Sequence, residues 1–330
     1  MPIYTNGLTR KRYYYSRLTA SQRYVYDSIC LGLQAYSEHI ELPYVAVHYA
    51  SSIFENVLYD NPLIFYTKSF SLNSNAHKQK CFLKPNYFYS SNEILRLEHA
   101  VLEHLRLFDP AKTYTELNKE LFVHDYCLHN LRYSIEFGVE SHTILGPILH
   151  RAAVCEGITK FVKLALDYLD VSNLLVYGKA HNPQSGADEN HVWNIVKLSG
   201  DCFHLDVTLD LTLMHQKKRY DYFNISDVAI KKDHEFAKFV PICITEGKDY
   251  YSQNGLVANS PSELKRLLAA EITKGNNTVI VKINNITEPA DIVNKVTNIA
   301  AEVYGNICNR SVNVEVRYNL TQLVFEVICL

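Results

Sequence analysis

Apolar residues recur along this chain in two rhythms, one of helical period and one of strict alternation. Tyr24, Val25, Ile29, Leu31 and Leu33 follow a helix-like repeat behind Thr19-Ala20-Ser21-Gln22, which has the spacing of a capping box. A second helix is expected over 45–58, stopped by Asp60-Asn61-Pro62, and Leu63-Ile64-Phe65-Tyr66 then reads as a short strand. The polar run 72–78 reads as a surface loop. Further helices are expected over 91–108, before Asp109-Pro110, and from Thr113, where Thr113-Tyr114-Thr115-Glu116 again has capping-box spacing.

The middle of the chain changes character. Ile158, Phe161, Val162, Ala165, Leu166 and Leu169 form one apolar stripe, so 156–169 is a helix packed hard against a core. Leu174-Leu175-Val176-Tyr177 follows, then a polar loop over 181–190 with Pro183 and Gly186. Two strand-like runs, 191–198 and 202–207, meet at Ser199-Gly200-Asp201, which is a hairpin signal. One helix leading into antiparallel strands is an α+β pattern, not a doubly wound sheet.

The last segment reads as separate. Ser260-Pro261-Ser262-Glu263 joins a capping box to proline at the first helical position. A strand over 279–283 and a helix over 288–304 follow. Val312, Val314, Val316 and Tyr318 alternate as one strand, and Phe325, Val327 and Cys329 as another. Tyr251-Ser252-Gln253-Asn254-Gly255 is the candidate linker. The expected division is 1–94 mainly helical, 95–250 the core, and 251–330 a small α/β region.

Composition removes several function classes. With 330 residues, 47% hydrophobic and 21% charged, the chain can bury a real core and is not intrinsically disordered. A net charge of −2 lacks the footprint of a nucleic-acid binder, and Arg10-Lys11-Arg12 is too short to supply one. No run of about 18 apolar residues could span a bilayer. No secretory signal is visible at Met1-Pro2-Ile3-Tyr4. The 8 cysteines are scattered without a Cys-x-x-Cys pair, so a cytoplasmic protein with free thiols is expected. His204, Cys202, His191 and His215 supply metal-ligand types but not the close spacing of zinc motifs. Neither a calcium cage nor a phosphate loop occurs, so neither metal nor cofactor is expected.

One cysteine stands apart. Cys155 immediately precedes the amphipathic helix, whose first turn offers unpaired N–H groups and a partial positive charge. A cysteine there is biased towards thiolate, and the same N–H groups could stabilise an oxyanion. The bland alternative is a buried apolar cysteine, one of 8. The hairpin supplies the rest. If Ser199-Gly200 is a two-residue turn, Trp193 lies opposite Asp206. His191 shares Trp193's face, one diagonal step of about 7–8 Å from Asp206. A carboxylate fixing an imidazole that faces a thiol is the nucleophile–base–orienter arrangement. Against it, a lone strand histidine is often structural, and Asp206 could simply cap a turn.

Ala153-Val154-Cys155-Glu156-Gly157, Glu189-Asn190-His191-Val192-Trp193-Asn194-Ile195-Val196 and His204-Leu205-Asp206-Val207-Thr208 resemble the three signatures of the transglutaminase-like superfamily, in order and spacing. Val123-His124-Asp125-Tyr126, Gly146-Pro147-Ile148-Leu149 and Tyr222-Phe223-Asn224-Ile225-Ser226 also resemble bacterial members. The resemblance spans about 95–235 and implies a papain-like α+β core with Cys155 as nucleophile, His191 as base and Asp206 as orienter. It implies cysteine-dependent acyl transfer on protein or peptide amides, with hydrolysis preferred over transamidation. Trp193 would shield the site or simply fill the core; Asn190 and Asn194 would orient His191 or substrate, or lie exposed at a strand end. The rival is a catalytically idle binding module with flanks that recognise a partner.

Overall fold

Two of the three expected capping signals, at Thr19 and Ser260, start helices in the computed structural model, which describes residues 12–75, 79–182, 186–236, 239–284, 291–309 and 312–330. The short α1 (Tyr13–Ser16) leads to α2 (Ala20–Gln34), where Thr19 accepts from the Gln22 N–H and the Gln22 side chain returns to the Thr19 N–H. Val25, Ile29 and Leu33 are buried on α2, whereas Tyr24 and Leu31 face solvent. After β1 (Ile40–Pro43), α3 (Val47–Asp60) packs on α2 and stops at Asn61-Pro62.

Two expectations fail in the next stretch. Residues 63–66 form no strand; they are a buried turn that introduces β2 (Thr67–Asn75). The polar run from Leu72 belongs to that strand as far as Asn75, and 76–78 lie outside the described residues. Its polarity hid an alternation in which half-buried Phe70 and Leu72 pack on the core between exposed residues. With β3 (Lys80–Tyr87) it completes an antiparallel sheet of order β1-β3-β2, so the region before residue 94 is mixed rather than mainly helical.

The helix α4 (Ser91–Leu105) tightens into a 3₁₀ segment over 106–113 that carries Pro110, so it ends three residues short of Phe108. The next cap is Thr115, not Thr113: its hydroxyl accepts from Asn118 N–H and opens α5 (Glu116–Asn130). Two short parallel strands, β4 (Arg132–Tyr133) and β5 (Ala152–Ala153), then set Tyr133 beside Ala153. Immediately after β5 comes α6 (Cys155–Tyr168).

The central sheet holds the site. The strands β6 (Ser172–Asn182) and β7 (Ala187–Leu198) form a long hairpin, so the expected polar loop shrinks, with 183–185 outside the described residues. It reads as polar because this end of the hairpin runs beyond the core. β8 (Asp201–Leu205) pairs with β7 in the register Leu198 to Asp201, and Ser199 and Gly200 both take positive φ in the turn. Beyond α7 (Val207–Leu213) come β9 (Phe223–Ile225), α8 (Asp227–Ile230) and β10 (His234–Phe236). The sheet order is β10-β6-β7-β8-β9, antiparallel throughout, as an α+β fold requires.

In the candidate linker 251–255, Gln253, Asn254 and Gly255 are exposed, but the stretch is anchored at its start. Tyr251 lies in the turn α9 (Tyr250–Gln253), buried, with its hydroxyl donating to Asp221. After β11 (Val257–Ala258), Ser260 caps α10 (Pro261–Thr273), followed by β12 (Thr278–Ile283), α11 (Ile292–Cys308), β13 (Val314–Asn319) and β14 (Val324–Cys329). Residues 288–290 of the expected last helix lie outside the described residues, as do Arg10 and Lys11 of the basic cluster. The last sheet has the order β11-β12-β14-β13 and its own apolar core, yet Ile280 and Val324 join the main core. Among the described residues, no helix is long and apolar enough to cross a membrane.

Candidate active site

The chemistry begins where β5 hands over to α6. Cys155 is the first residue of α6, and Val154 before it offers no side-chain cap. The first turn fits tightly: a Cβ on Gly157 would lie 2.4 Å from the Ser141 carbonyl oxygen, so only glycine allows this approach. That carbonyl accepts from the Val154 N–H at 3.1 Å and fixes the entry into the helix.

His191 and Asp206 arrive from the sheet. His191 Nε2 lies 2.6 Å from Asp206 Oδ2, with Asp206 wholly buried. The Cys155 thiol lies close enough to the same ring to add to the upward push on its pKa. Asp206 engages Nε2, which leaves Nδ1 as the ring nitrogen open to a thiol. The strand β8 ends at Leu205, so Asp206 also caps α7, where its Oδ1 accepts from Leu209 N–H at 3.0 Å. The cap therefore uses one oxygen of this carboxylate and the contact with His191 the other.

The electrostatics follow from this arrangement. Burial alone would lower the His191 pKa, but the Asp206 charge and hydrogen bond, with Cys155 behind them, push it up to about 10. Burial alone would raise Asp206, but His191 and then His234 reverse it and hold the carboxyl below its ordinary range. The ring is thus an imidazolium at neutral pH. Elsewhere burial keeps thiols protonated: Cys30 is pushed up to about 11, and Cys127 and Cys243 are raised as well. Cys155 is half-buried rather than sealed.

The three supporting residues separate. Trp193 is fully buried; its ring lies nearly parallel to His191 with centroids 6.0 Å apart, and its N–H donates to His204 Nδ1 at 3.0 Å. It is a wall behind the imidazole. Asn194 does not reach His191: it lies on the other strand face, and its amide donates to the Thr159 carbonyl of α6 at 3.3 Å. Asn190 is exposed and pairs with Lys179 across the hairpin.

Other residues joined the site without a sequence signal. His234 Nε2 sits 3.2 Å from the same Asp206 oxygen that His191 uses. The Tyr133 phenol lies within reach of the Cys155 backbone N–H, put there by the β4–β5 pairing. Next to Cys155 in sequence, Glu156 lines a cleft of about 290 Å³ with Tyr59, Phe65, Lys68, His142 and Tyr177, and Cys155, His191 and Asp206 are not among its walls. Glu156 is held there by Lys160 at 2.7 Å and His142 at 3.1 Å. The β10–β6 and β4–β5 pairings and the packing of α3 help assemble these groups, and none of these is a local pattern.

Among the described residues, two side-chain groups have metal-ligand composition, His191–Asp206–His234 and His204–Asp227–Cys243. Neither fits an ion. His234 lies between two carboxylates, so both its nitrogens carry protons and offer no lone pair. The Trp193 N–H occupies His204 Nδ1, which leaves the proton on Nε2, aimed at Asp227 Oδ1 over 2.9 Å.

No protein-family model and no curated protein matches the chain. Among solved structures, one described as a TGase is 14% identical over 47% of this chain and 48% of its own, with a TM-score of 0.32. Another, from Cytophaga hutchinsonii and provisionally assigned as a cysteine protease, is 14% identical over 42% of this chain and 61% of its own, with a TM-score of 0.25. The chain spans about half the length of the first, and the functional reading rests on the site's own geometry.

Proposed function

We propose that this protein is a cysteine-dependent acyl-transfer enzyme of transglutaminase-like type, acting on protein or peptide amides through Cys155, His191 and Asp206. The single observation behind the reading is the buried 2.6 Å His191–Asp206 pair beside a cysteine at a helix start. Cys155 sulfur, as thiolate, attacks the amide carbon, and the carbonyl electron pair moves to oxygen. As the tetrahedral intermediate collapses, the C–N bond breaks and the His191 Nδ1 proton passes to the departing amine, leaving a thioester. Water then attacks, His191 takes its proton, and thiolate leaves from the new acid. Asp206 keeps the ring oriented and its positive charge balanced throughout.

Hydrolysis is the preferred outcome over transfer to a lysine amine, and no metal or cofactor is called for. Specificity falls to the flanking regions, since Tyr59, Phe65 and Lys68 from the first 94 residues wall the cleft beside Glu156. A reducing, cytoplasmic compartment would keep Cys155 a free thiol. An idle scaffold has no use for a buried carboxylate–imidazolium pair aimed at a thiol.

The test is selective alkylation, read peptide by peptide by mass spectrometry. Iodoacetamide at pH 6 labels Cys155 ahead of the exposed Cys308. Cys155→Ala removes that label and the capture of lysate peptides as thioesters, while the melting temperature is kept. Labelling of Cys155 no faster than Cys308 sinks the reading.

A further inference from the structure

Behind His191 lies a second histidine that the reaction scheme leaves unused. His234 opens β10, which pairs with β6 so that His234 faces Ala180 and Phe236 faces Gly178. Gly178 permits this approach: a Cβ there would lie 1.9 Å from the Glu235 carbonyl oxygen and 2.8 Å from Trp193. The pairing carries His234 underneath the carboxylate. Its Nε2 is 3.2 Å from Asp206 Oδ2 and its Nδ1 is 2.6 Å from Asp233 Oδ1. Carboxylates only accept, so both ring nitrogens donate and His234 is a buried imidazolium.

The groups facing His234 come from several elements. Asp206 precedes α7, Asp233 precedes β10, and His191 on β7 has its ring centroid 5.6 Å away. Tyr222, before β9, is also at 5.6 Å, and His204 on β8 senses its charge. Trp193 closes one side at 4.8 Å. Burial alone would lower the His234 pKa, but Asp206 and Asp233 overcome it and hold it above the ordinary value. Asp233 is itself anchored. The Tyr222 hydroxyl donates to Asp233 Oδ2, and the Asn319 amide, at the end of β13, donates to Tyr222 at 3.3 Å and to Asp221 at 3.1 Å. A continuous polar chain therefore runs from the C-terminal sheet to Asp206.

We propose that His234 is a positioning residue of the active site, an imidazolium clamped by Asp233 that holds the Asp206 carboxylate against His191 and brings a second positive charge to it. This rests on the Cys155–His191–Asp206 reading above. The charge gives it a signature that packing alone would not have. A neighbouring cation disfavours His191 imidazolium and favours Cys155 thiolate, so its loss moves both titrations to higher pH. For two charges at this separation the shift lies between about 0.5 and about 2 pH units, depending on screening.

The experiment follows iodoacetamide alkylation of Cys155 in the full chain from pH 4 to 10, by mass spectrometry, with Cys308 as internal reference. His234→Gln keeps an amide able to donate to Asp206 and drops only the charge; His234→Leu drops both. On the acid limb, at pH 5, His234→Gln reacts roughly 3- to 100-fold more slowly than wild type, and its limbs move to alkaline pH. His234→Leu shows the same shift with a lower plateau. A His234→Gln profile that superimposes on wild type overturns the proposal, even if His234→Leu fails to fold. Wild-type Cys155 that reacts no faster than Cys308 at acid pH instead overturns the triad reading itself.

Discussion

His191 and Asp206 are joined over 2.6 Å, His124 and Asp210 over 2.9 Å, and all four side chains are buried. Both carboxylates also accept a backbone N–H, from Leu209 in one case and Tyr222 in the other. The surroundings differ. His191 has a half-buried thiol nearby, whereas His124 stacks on Tyr220 and meets the edge of Phe223 inside the core. Asp206 has two imidazoles and is held down by them against burial; Asp210 has one, and burial pushes it up, with Asp221 adding. Beside the second pair, Glu120 is pushed up to about 8 by burial and has an Asn224 amide on one oxygen only. A histidine–carboxylate pair is thus a common way to satisfy buried polar groups. Chemistry needs in addition a nucleophile, an opening and a carboxylate that stays ionised.

The contrast is sharpest under mutation of the two rings. His191→Ala lowers acyl transfer by roughly 10³-fold or more with little change in melting. His124→Ala leaves Cys155 alkylation of the folded protein within a few-fold of wild type but costs about 3 kcal/mol or more of stability in urea titration. A His124→Ala protein that is folded and unreactive would erase the distinction drawn here.

The buried carboxyl groups of the two regions respond oppositely to pH. His191, raised to about 10, stabilises the fold fully below its ordinary pKa near 6.5, and that contribution is lost as pH rises through 10. Asp206, held low, stabilises above the ordinary carboxyl range of about 4 and loses this as pH falls. Glu120 behaves in reverse: its neutral form fits the core, so the fold loses stability from about pH 4.3 upward to about 8. Glu120→Gln, which mimics the neutral acid, melts about 3 °C or more above wild type at pH 8 and alongside it at pH 4. Equal melting at pH 8 would mean that Glu120 is ionised in the fold. Acyl transfer itself fades above about pH 10, as His191 loses its proton.

The smallest effect belongs to Asn194. Its amide ties β7 to the Thr159 carbonyl of α6, so Asn194→Ala costs about 1 kcal/mol by chemical denaturation and leaves the alkylation rate of Cys155 unchanged. A rate loss instead would return Asn194 to the site.

Much of this was legible from local pattern. The stripe from Ile158 to Leu169 predicted α6 within one residue at each end, and Ser199-Gly200 predicted the turn that sets the β7–β8 register. Capping chemistry was read correctly at Thr19 and Ser260, and two residues early at Thr113, because Thr115 offers the same hydroxyl and Pro110 favours a tight 3₁₀ approach. Strand β2 was missed because its outward residues are polar and only Phe70 and Leu72 turn inward. In 251–255 the anchoring of Tyr251 is invisible to local pattern, because it looks like any loop tyrosine until its hydroxyl meets Asp221.

By itself, then, the sequence determined the α+β class, the helix that starts at Cys155 and the hairpin that brings His191 near Asp206. These follow from periodicity, capping and turn geometry, which act over a few residues. Only the tertiary structure decided that the hairpin faces the helix start, that Asn194 serves the scaffold, and that His234 shares the Asp206 oxygen. Those outcomes depend on which faces of distant elements meet, as where Gly178 lets β10 close on β6. No local rule in a single chain encodes such a meeting.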